Sequence, residues 1–454
     1  ASTTVSDNTA VGTRALSANT TGVANTAIGF DAGKAITTGE RNAILGYQAA
    51  EATTTGSHIT ALGYYALGAN TTGGYNTAVG SKVLQANTTG IGNTAMGYGA
   101  LDANTTTNYN VAIGQDALGV NTAADNVAVG VNSLTANTTG SPNTALGTKA
   151  MTSNTTGTNN TGLGYQALYT NTTGARHVAV GDGALYYNTT GTHNTAVGSL
   201  ALQQNTTGGY NTAVGYETMD ANTTASNNTA VGHAALGANT TGGGNVAVGA
   251  YAGDANTTGE NNTAVGHQAL TGITTASNAT AMGTNALESC NGNMNSAFGK
   301  DAGKNVTTGT NNLFLGKDAG ITGSPGGNIT TGSNNIVLGD ENVGALYCTQ
   351  TSISSSDKRD KADIENFDVG LSFINKMKPV TYKWDRRSWY SDDLSVTPDG
   401  SKKDDVTHVG FLAQDIKALE EEIGFANDKK DMLFVNLTDD DTRYGMKYER
   451  LVTV

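Results

Sequence analysis

The chain runs Asn8-Thr9-Ala10-Val11-Gly12-Thr13-Arg14-Ala15-Leu16-Ser17-Ala18-Asn19-Thr20-Thr21-Gly22-Val23-Ala24 and then begins again with Asn25-Thr26-Ala27-Ile28-Gly29. The opening pentapeptide returns at 42, 59, 76, 93, 110, 126, 143, 160, 177, 194, 211, 228, 245, 262, 279, 295, 312 and 335, which makes 20 copies. Sixteen of the 19 spacings equal the step from Asn8 to Asn25, two are one position shorter, and the last, from Asn312 to Asn335, is six longer. A period that constant marks a solenoid in which each repeat is one coil.

Each position of the coil has its own demand. The fifth is glycine in all 20 copies, from Gly12 to Gly339, which predicts positive φ or a backbone approach too close for a Cβ. The fourth is always apolar, from Val11 to Leu338, and the third is alanine in 16 of 20. Alternation places Thr9 and Val11 on one face and Ala10 on the other. A second apolar step, as at Ala15-Leu16, Ala66-Leu67, Ala100-Leu101 and Ala167-Leu168, predicts a second short strand, and Asn-Thr-Thr-Gly at 19–22 and 87–90 predicts a polar turn. Glycine and β-branched residues stand where a helix needs helix formers.

The expected fold is an all-β repeat solenoid, a parallel β-roll or β-helix of 17-residue coils over residues 1–339. At about 4.8 Å per coil it would form a rod roughly 95 Å long, if each chain makes its own coils; an interwound three-chain helix is the alternative. One thin coil buries little, and both strand faces carry apolar groups. Three parallel copies packed together, with Asn and Thr stacked as ladders, form the economical assembly, and a monomeric solenoid is its rival.

Composition narrows the function. Glycine supplies 60 of 454 residues but proline only 4, which excludes a collagen or a proline-rich linker. No stretch approaches the ~18 apolar residues of a membrane-spanning helix. Two cysteines, Cys290 and Cys348, are too few for a disulfide framework and point to assembly in a reducing compartment. A net charge of −13 argues against nucleic acid or an anionic membrane as partner. The start at Ala1 without a signal peptide reads as a processed or cropped segment. Charge is uneven: 24 charged side chains lie over 1–339, against 39 over the much shorter 340–454, where Trp384 and Trp389 also lie. Three segments follow: a shaft at 1–339, a linker at 340–355 and a small α+β domain at 356–454.

Several motifs in the repeats carry little. Asn-Thr-Thr matches the glycosylation acceptor, but its constant phase favours a turn and a ladder. His233 and His267 share the sixth position two coils apart with Tyr251 near that position between them, which favours surface histidines over a metal site. Tyr47, Tyr64, Tyr98, Tyr165 and Tyr216 share it too. They cover a coil corner or a chain interface, with stacking on sugars as the functional alternative. Scattered acids such as Glu217 and Asp220 do not form the carboxylate pair of a glycosidase. No cofactor or metal is expected.

The C-terminal part reads differently. Leu371, Ile374 and Met377 have helical spacing, ended by Lys378-Pro379. Val380-Thr381-Tyr382-Lys383-Trp384 alternates as a strand. His408 to Ile416 reads as a second strand leading into a helix around Leu419 to Ile423. The last element is Tyr444-Gly445-Met446-Lys447-Tyr448. Upstream stands Ser356-Asp357-Lys358-Arg359-Asp360-Lys361.

Two resemblances attach to these residues. The repeats resemble the head repeats of trimeric autotransporter adhesins, with Asn110-Val111-Ala112-Ile113-Gly114 the nearest match, which implies a parallel β-roll. Residues 356–454 resemble the intramolecular chaperone domain of phage tail spikes and fibres, the S74 peptidase family. The signals are Ser-Asp-x-Arg-x-Lys, Lys-Pro-Val-x-Tyr-x-Trp, Gly-Phe-x-Ala-Gln-Asp/Glu and Tyr-Gly-Met-x-Tyr, in the family's order. That resemblance implies a domain that trimerises, templates the preceding β-structure and cuts itself off. By position, Ser356 is then the nucleophile, Lys361 its general base, and Ser355–Ser356 the scissile bond, with Asp357 and Arg359 as supporting residues. A serine needs a base to become nucleophilic, and a lysine serves if its pKa falls towards neutrality.

The reading is therefore a virion tail fibre or spike for host-cell recognition, assembled in the host cytoplasm as a homotrimer. Its partners would be other tail proteins and a host-surface receptor, polysaccharide among the candidates. Its only chemistry would be single-turnover autoproteolysis, with no external substrate. A bacterial or prophage-encoded trimeric adhesin with the same modules is the alternative.

Overall fold

The computed structural model describes residues 7–343, 370–387, 390, 397–428, 432–437 and 444–447. The chain divides into two compact units, Ala1–Asn278 and Ala279–Val454. The first contains sixteen three- or four-residue strands, β1 (Thr9–Val11) to β16 (Thr263–Val265). The second contains four more coil strands, β17 (Thr280–Met282) to β20 (Ile336–Leu338), followed by short helices and strands.

Each coil is made by one chain. Within the first unit each strand pairs in parallel with the next coil's strand in unbroken register: Thr9 lies beside Thr26, Thr195 beside Thr212, and Thr229 beside Val246. The parallel β-solenoid, one coil for each turn of the sequence period, is thus as expected. The third-position alanines from Ala27 onward are buried inside it. The fifth-position glycine meets both of its predicted demands. Gly215 has φ +140°, and a Cβ there would lie 2.4 Å from the carbonyl oxygen of Gly232 in the next coil.

The expected second strand is absent among the described residues. The Ala-Leu step is a turn in which positions seven and nine take left-handed φ, as at Arg14 (+61°) and Leu16 (+50°), and position seventeen, just before the next coil's asparagine, does the same, as at Ala24 (+56°). Left-handed φ costs a non-glycine residue roughly 1 kcal/mol or more. Two features hold it in place. The Leu67 N–H still donates to the next coil, to the carbonyl of Val83 at 3.0 Å, and the leucine side chain is fully buried beneath the alanines.

Two asparagine ladders bond the coils to one another through buried side chains. At position one, the Asn211 N–H donates to Asn194 Oδ1 (2.9 Å), while Asn194 Nδ2 donates to Gly208 O (2.8 Å). At position twelve, Asn205 Nδ2 donates to Asn188 Oδ1 (2.8 Å) and to Gly208 O (3.0 Å). Buried amides are costly unless bonded, and here one side chain bridges two coils. The Asn-Thr-Thr asparagines from Asn70 to Asn256 are accordingly enclosed, and the adjacent threonine continues the ladder, with Thr206 Oγ1 donating to Thr223 O at 3.0 Å.

After the solenoid come α1 (Gly370–Ile374), β21 (Val380–Tyr382), β22 (His408–Gly410), α2 (Ala413–Glu422), β23 (Val435–Leu437) and β24 (Tyr444–Met446). Two readings need correction. The second strand stops at Gly410, because Ala413, Ile416 and Leu419 repeat at helical spacing and turn one face onto Phe373 and Phe434. In α1 the buried side chain is Phe373, 5.1 Å from the Phe434 ring, whereas Leu371 points outward.

Candidate functional site

Lys378-Pro379 ends the first helix and releases the chain into β21, which pairs antiparallel with β22 so that Val380 faces Gly410 and Tyr382 faces His408. This pairing assembles an aromatic cluster from distant parts of the sequence. Tyr382 stacks on His408 with ring centroids 5.5 Å apart and meets Trp384 edge-on at 5.2 Å. Asp404 Oδ1 accepts the backbone N–H of Trp384 at 3.2 Å, and its other carboxylate oxygen lies 3.6 Å from His408 Nε2. The Arg386 guanidinium lies 4.8 Å from the centre of the Trp384 ring, a cation–π arrangement. Its outer end donates to the carbonyl of Glu341, just past β20.

A second cluster gathers α1, α2, β23 and β24. Phe373, Ala413, Ile416, Phe434 and Val435 form a small core, with Met446 of β24 packed against it. Inside α2, Glu420 is wholly buried and accepts the backbone N–H groups of Leu433 (3.2 Å), Phe434 and Val435 (3.0 Å). Three donors on one carboxylate explain how a charge is accommodated here, and they tie β23 to α2. Sequence reading passed over Glu420 because Glu420-Glu421-Glu422 looks like a solvated helix end; its partners, Leu433 to Val435, belong to a later element.

Between these clusters is a cleft of about 430 Å³, lined by Trp384, Arg386, Gln414 and Tyr444 together with Asp340 and Glu341. Trp384, Gln414 and Tyr444 belong to three different motifs of the C-terminal part, and the structure brings them to one place. Ser355, Ser356, Asp357, Arg359 and Lys361 lie outside the described residues. The cleft is bordered by Val343, a short way before Ser355 in the sequence.

In the solenoid, Tyr216 stacks on His233 (5.6 Å), and the Tyr251 ring meets His233 edge-on at 4.8 Å and His267 at 6.2 Å. The two imidazoles are therefore separated by a phenol rather than converging. Among the described residues no three His, Cys, Asp or Glu side chains are grouped to hold a metal. Phe30, Tyr47 and Tyr64 form a continuous stack at 5.2 and 5.6 Å. Cys290 occupies the asparagine position of a ladder and is buried, its thiol pushed up by that burial. Asn295 Nδ2 donates to its sulfur at 3.3 Å.

With this geometry in place, comparison with known families gives one finding. Residues 356–425 match the model of the peptidase S74 family, described as the chaperone of endosialidase. The match begins at Ser356, covers β21, β22 and α2, and ends before β23. No curated protein matches the chain.

Proposed function

We propose that this chain is a tail-fibre or spike segment whose solenoid forms a homotrimeric shaft and whose C-terminal domain is a self-cleaving intramolecular chaperone. The family match starting at Ser356, directly downstream of twenty near-identical coils, carries this reading. Such coils lack an intrinsic axial register, and a separate domain that associates first supplies one. The shaft would then serve host attachment on the virion.

In the cleavage step, Ser356 Oγ attacks the Ser355 carbonyl carbon while Lys361 Nζ accepts the hydroxyl proton. The C–N bond breaks, the Ser356 amine leaves with a proton, and water hydrolyses the resulting ester. One cut per chain follows, with no turnover.

The test is the intact mass, under denaturing conditions, of the chain carrying its natural C-terminus, beside Ser356→Ala and Lys361→Ala. A wild type split between Ser355 and Ser356 with both variants whole is the expected result. An uncut wild type would remove the chemistry from the proposal, and a split Ser356→Ala variant would remove this nucleophile.

A further inference from the structure

Among the described residues, nothing covers one face of the solenoid sheet. Each of β1–β16 directs its second- and fourth-position residues outward. None of these side chains is buried, in contrast to the third-position residues between them, which are buried from β2 to β16. The fourth position is Val, Ile, Leu or Met in all sixteen coils, and the second is Thr, Val or Ala. Val11 is 55% and Leu45 47% exposed. Charged residues occur freely elsewhere on the same coils, as at Asp31, Lys34, Glu51, Lys82, Asp116 and Lys149, but never on this face. A sheet face turned to water ordinarily carries polar side chains, and an apolar stripe of this length marks a surface that is covered in the assembled protein.

We infer that this face is the contact surface between copies of the chain: the fourth-position stripe of one copy packs against those of two others, parallel and at the same axial height. The inference rests on the trimeric reading above and adds the surface that performs it. Three observations select a second copy as the occupant. The partner must present apolar groups at the coil spacing, about 4.8 Å, for sixteen coils, and an identical solenoid does so. It must also carry no charge against the stripe, which again holds for the same stripe on another copy. Finally, the outward face continues without a break from β1 to β16, so every coil adds apolar area to the contact. The narrowness of the face fixes the geometry: two outward residues per strand span only about 7 Å, which lets three faces meet around one axis.

Cysteine cross-linking of the full chain tests this. Val214→Cys places a thiol on the stripe, and Thr207→Cys places one on an exposed turn; the parent chain, with its own two cysteines, is the blank. Mild oxidation followed by a denaturing gel should convert up to about two thirds of Val214→Cys chains to covalent pairs, as three thiols around an axis allow one bond per trimer. Thr207→Cys should stay single. Sedimentation of the unoxidised proteins separates the possible failures. A trimer that cross-links through Thr207→Cys but not Val214→Cys overturns this face while leaving the trimer standing. A monomer overturns the trimeric reading itself, and this inference with it.

Discussion

His177 stands where other coils have asparagine, and its imidazole reproduces both asparagine bonds. Its Nε2–H donates to Gly191 O at 2.7 Å, and its Nδ1 accepts the Asn194 N–H at 3.2 Å. The ring is therefore neutral with the proton on Nε2, and burial lowers its pKa to about 4 from the ordinary 6.5. Protonating Nδ1 would oppose two donors inside the ladder. The sign of the pH effect follows. An unfolded His177 takes up its proton near pH 6.5 and the folded one only near 4, so the neutral ring's full contribution is present above pH 6.5. It drains away as pH falls and is gone below about 4, a loss of about 3 kcal/mol. His177→Asn should keep the ladder without the titration. Denaturation midpoints of the two proteins from pH 7.5 to 4 should therefore diverge, with the wild type falling faster; parallel curves would show that the imidazole does not titrate as described.

At the level of the coil, the sequence showed the period and the inward alanines, because both are side-chain patterns repeated twenty times. It concealed the left-handed turn, since Ala-Leu looks like a strand and leucine ordinarily avoids positive φ. A signal was present nonetheless: Gly33, Gly253, Gly303 and Gly320 occupy the leucine position, each with φ between +57° and +78°. Only a left-handed position accepts glycine and leucine interchangeably here. These glycines also explain the large residues that break the alanine column. The space vacated at Gly303 and Gly320 is filled by Phe314, where a Cβ would come within 2.7 and 2.3 Å of its ring, and Ile36 and Ile44 fill the space at Gly33 in the same way. Phe314→Ala should cost about 3–5 kcal/mol, because no leucine remains to close the cavity. Gly303→Leu alone should also destabilise, by collision with the ring. Combined, the two restore the arrangement of the ordinary coils, so the double variant should be more stable than Phe314→Ala by denaturant midpoint; simple addition of the two losses would refute the compensation. The candidate catalytic pair is a different matter. Ser356 and Lys361 were legible only as a motif. Nothing in a linear pattern predicted the convergence of Trp384, Gln414 and Tyr444, which depends on β21 pairing with β22 across the long stretch of chain between Tyr382 and His408.

For the whole molecule, the uniformity that makes the coils stack also leaves them unable to count. Slide one copy along another by a single coil and every column again meets its like: Val197 takes the place of Val214, and Thr195 that of Thr212. Only the end coil loses its partner, so a slipped trimer of sixteen coils keeps roughly fifteen sixteenths of its contacts. The discrimination must therefore come from somewhere that does not repeat. Besides two coils one residue short, from Asn110 to Asn126 and from Ala279 to Asn295, the widened coil from Asn312 to Asn335, just before β20, interrupts the period, and the densely charged C-terminal part does not repeat at all. If that part sets the register, chains lacking 356–454 should still form coils but assemble slowly and into mixed, offset species, since non-local β assembly is slow and leaves apolar faces open in the meantime. Sedimentation of the truncated and full chains, refolded side by side at equal concentration, should show one sharp trimer for the full chain. The truncated chain should give a broad distribution with a lower trimer yield. Equal yields of the same sharp species would mean that the shaft finds its own register, and the C-terminal domain would then need a different reason to be there.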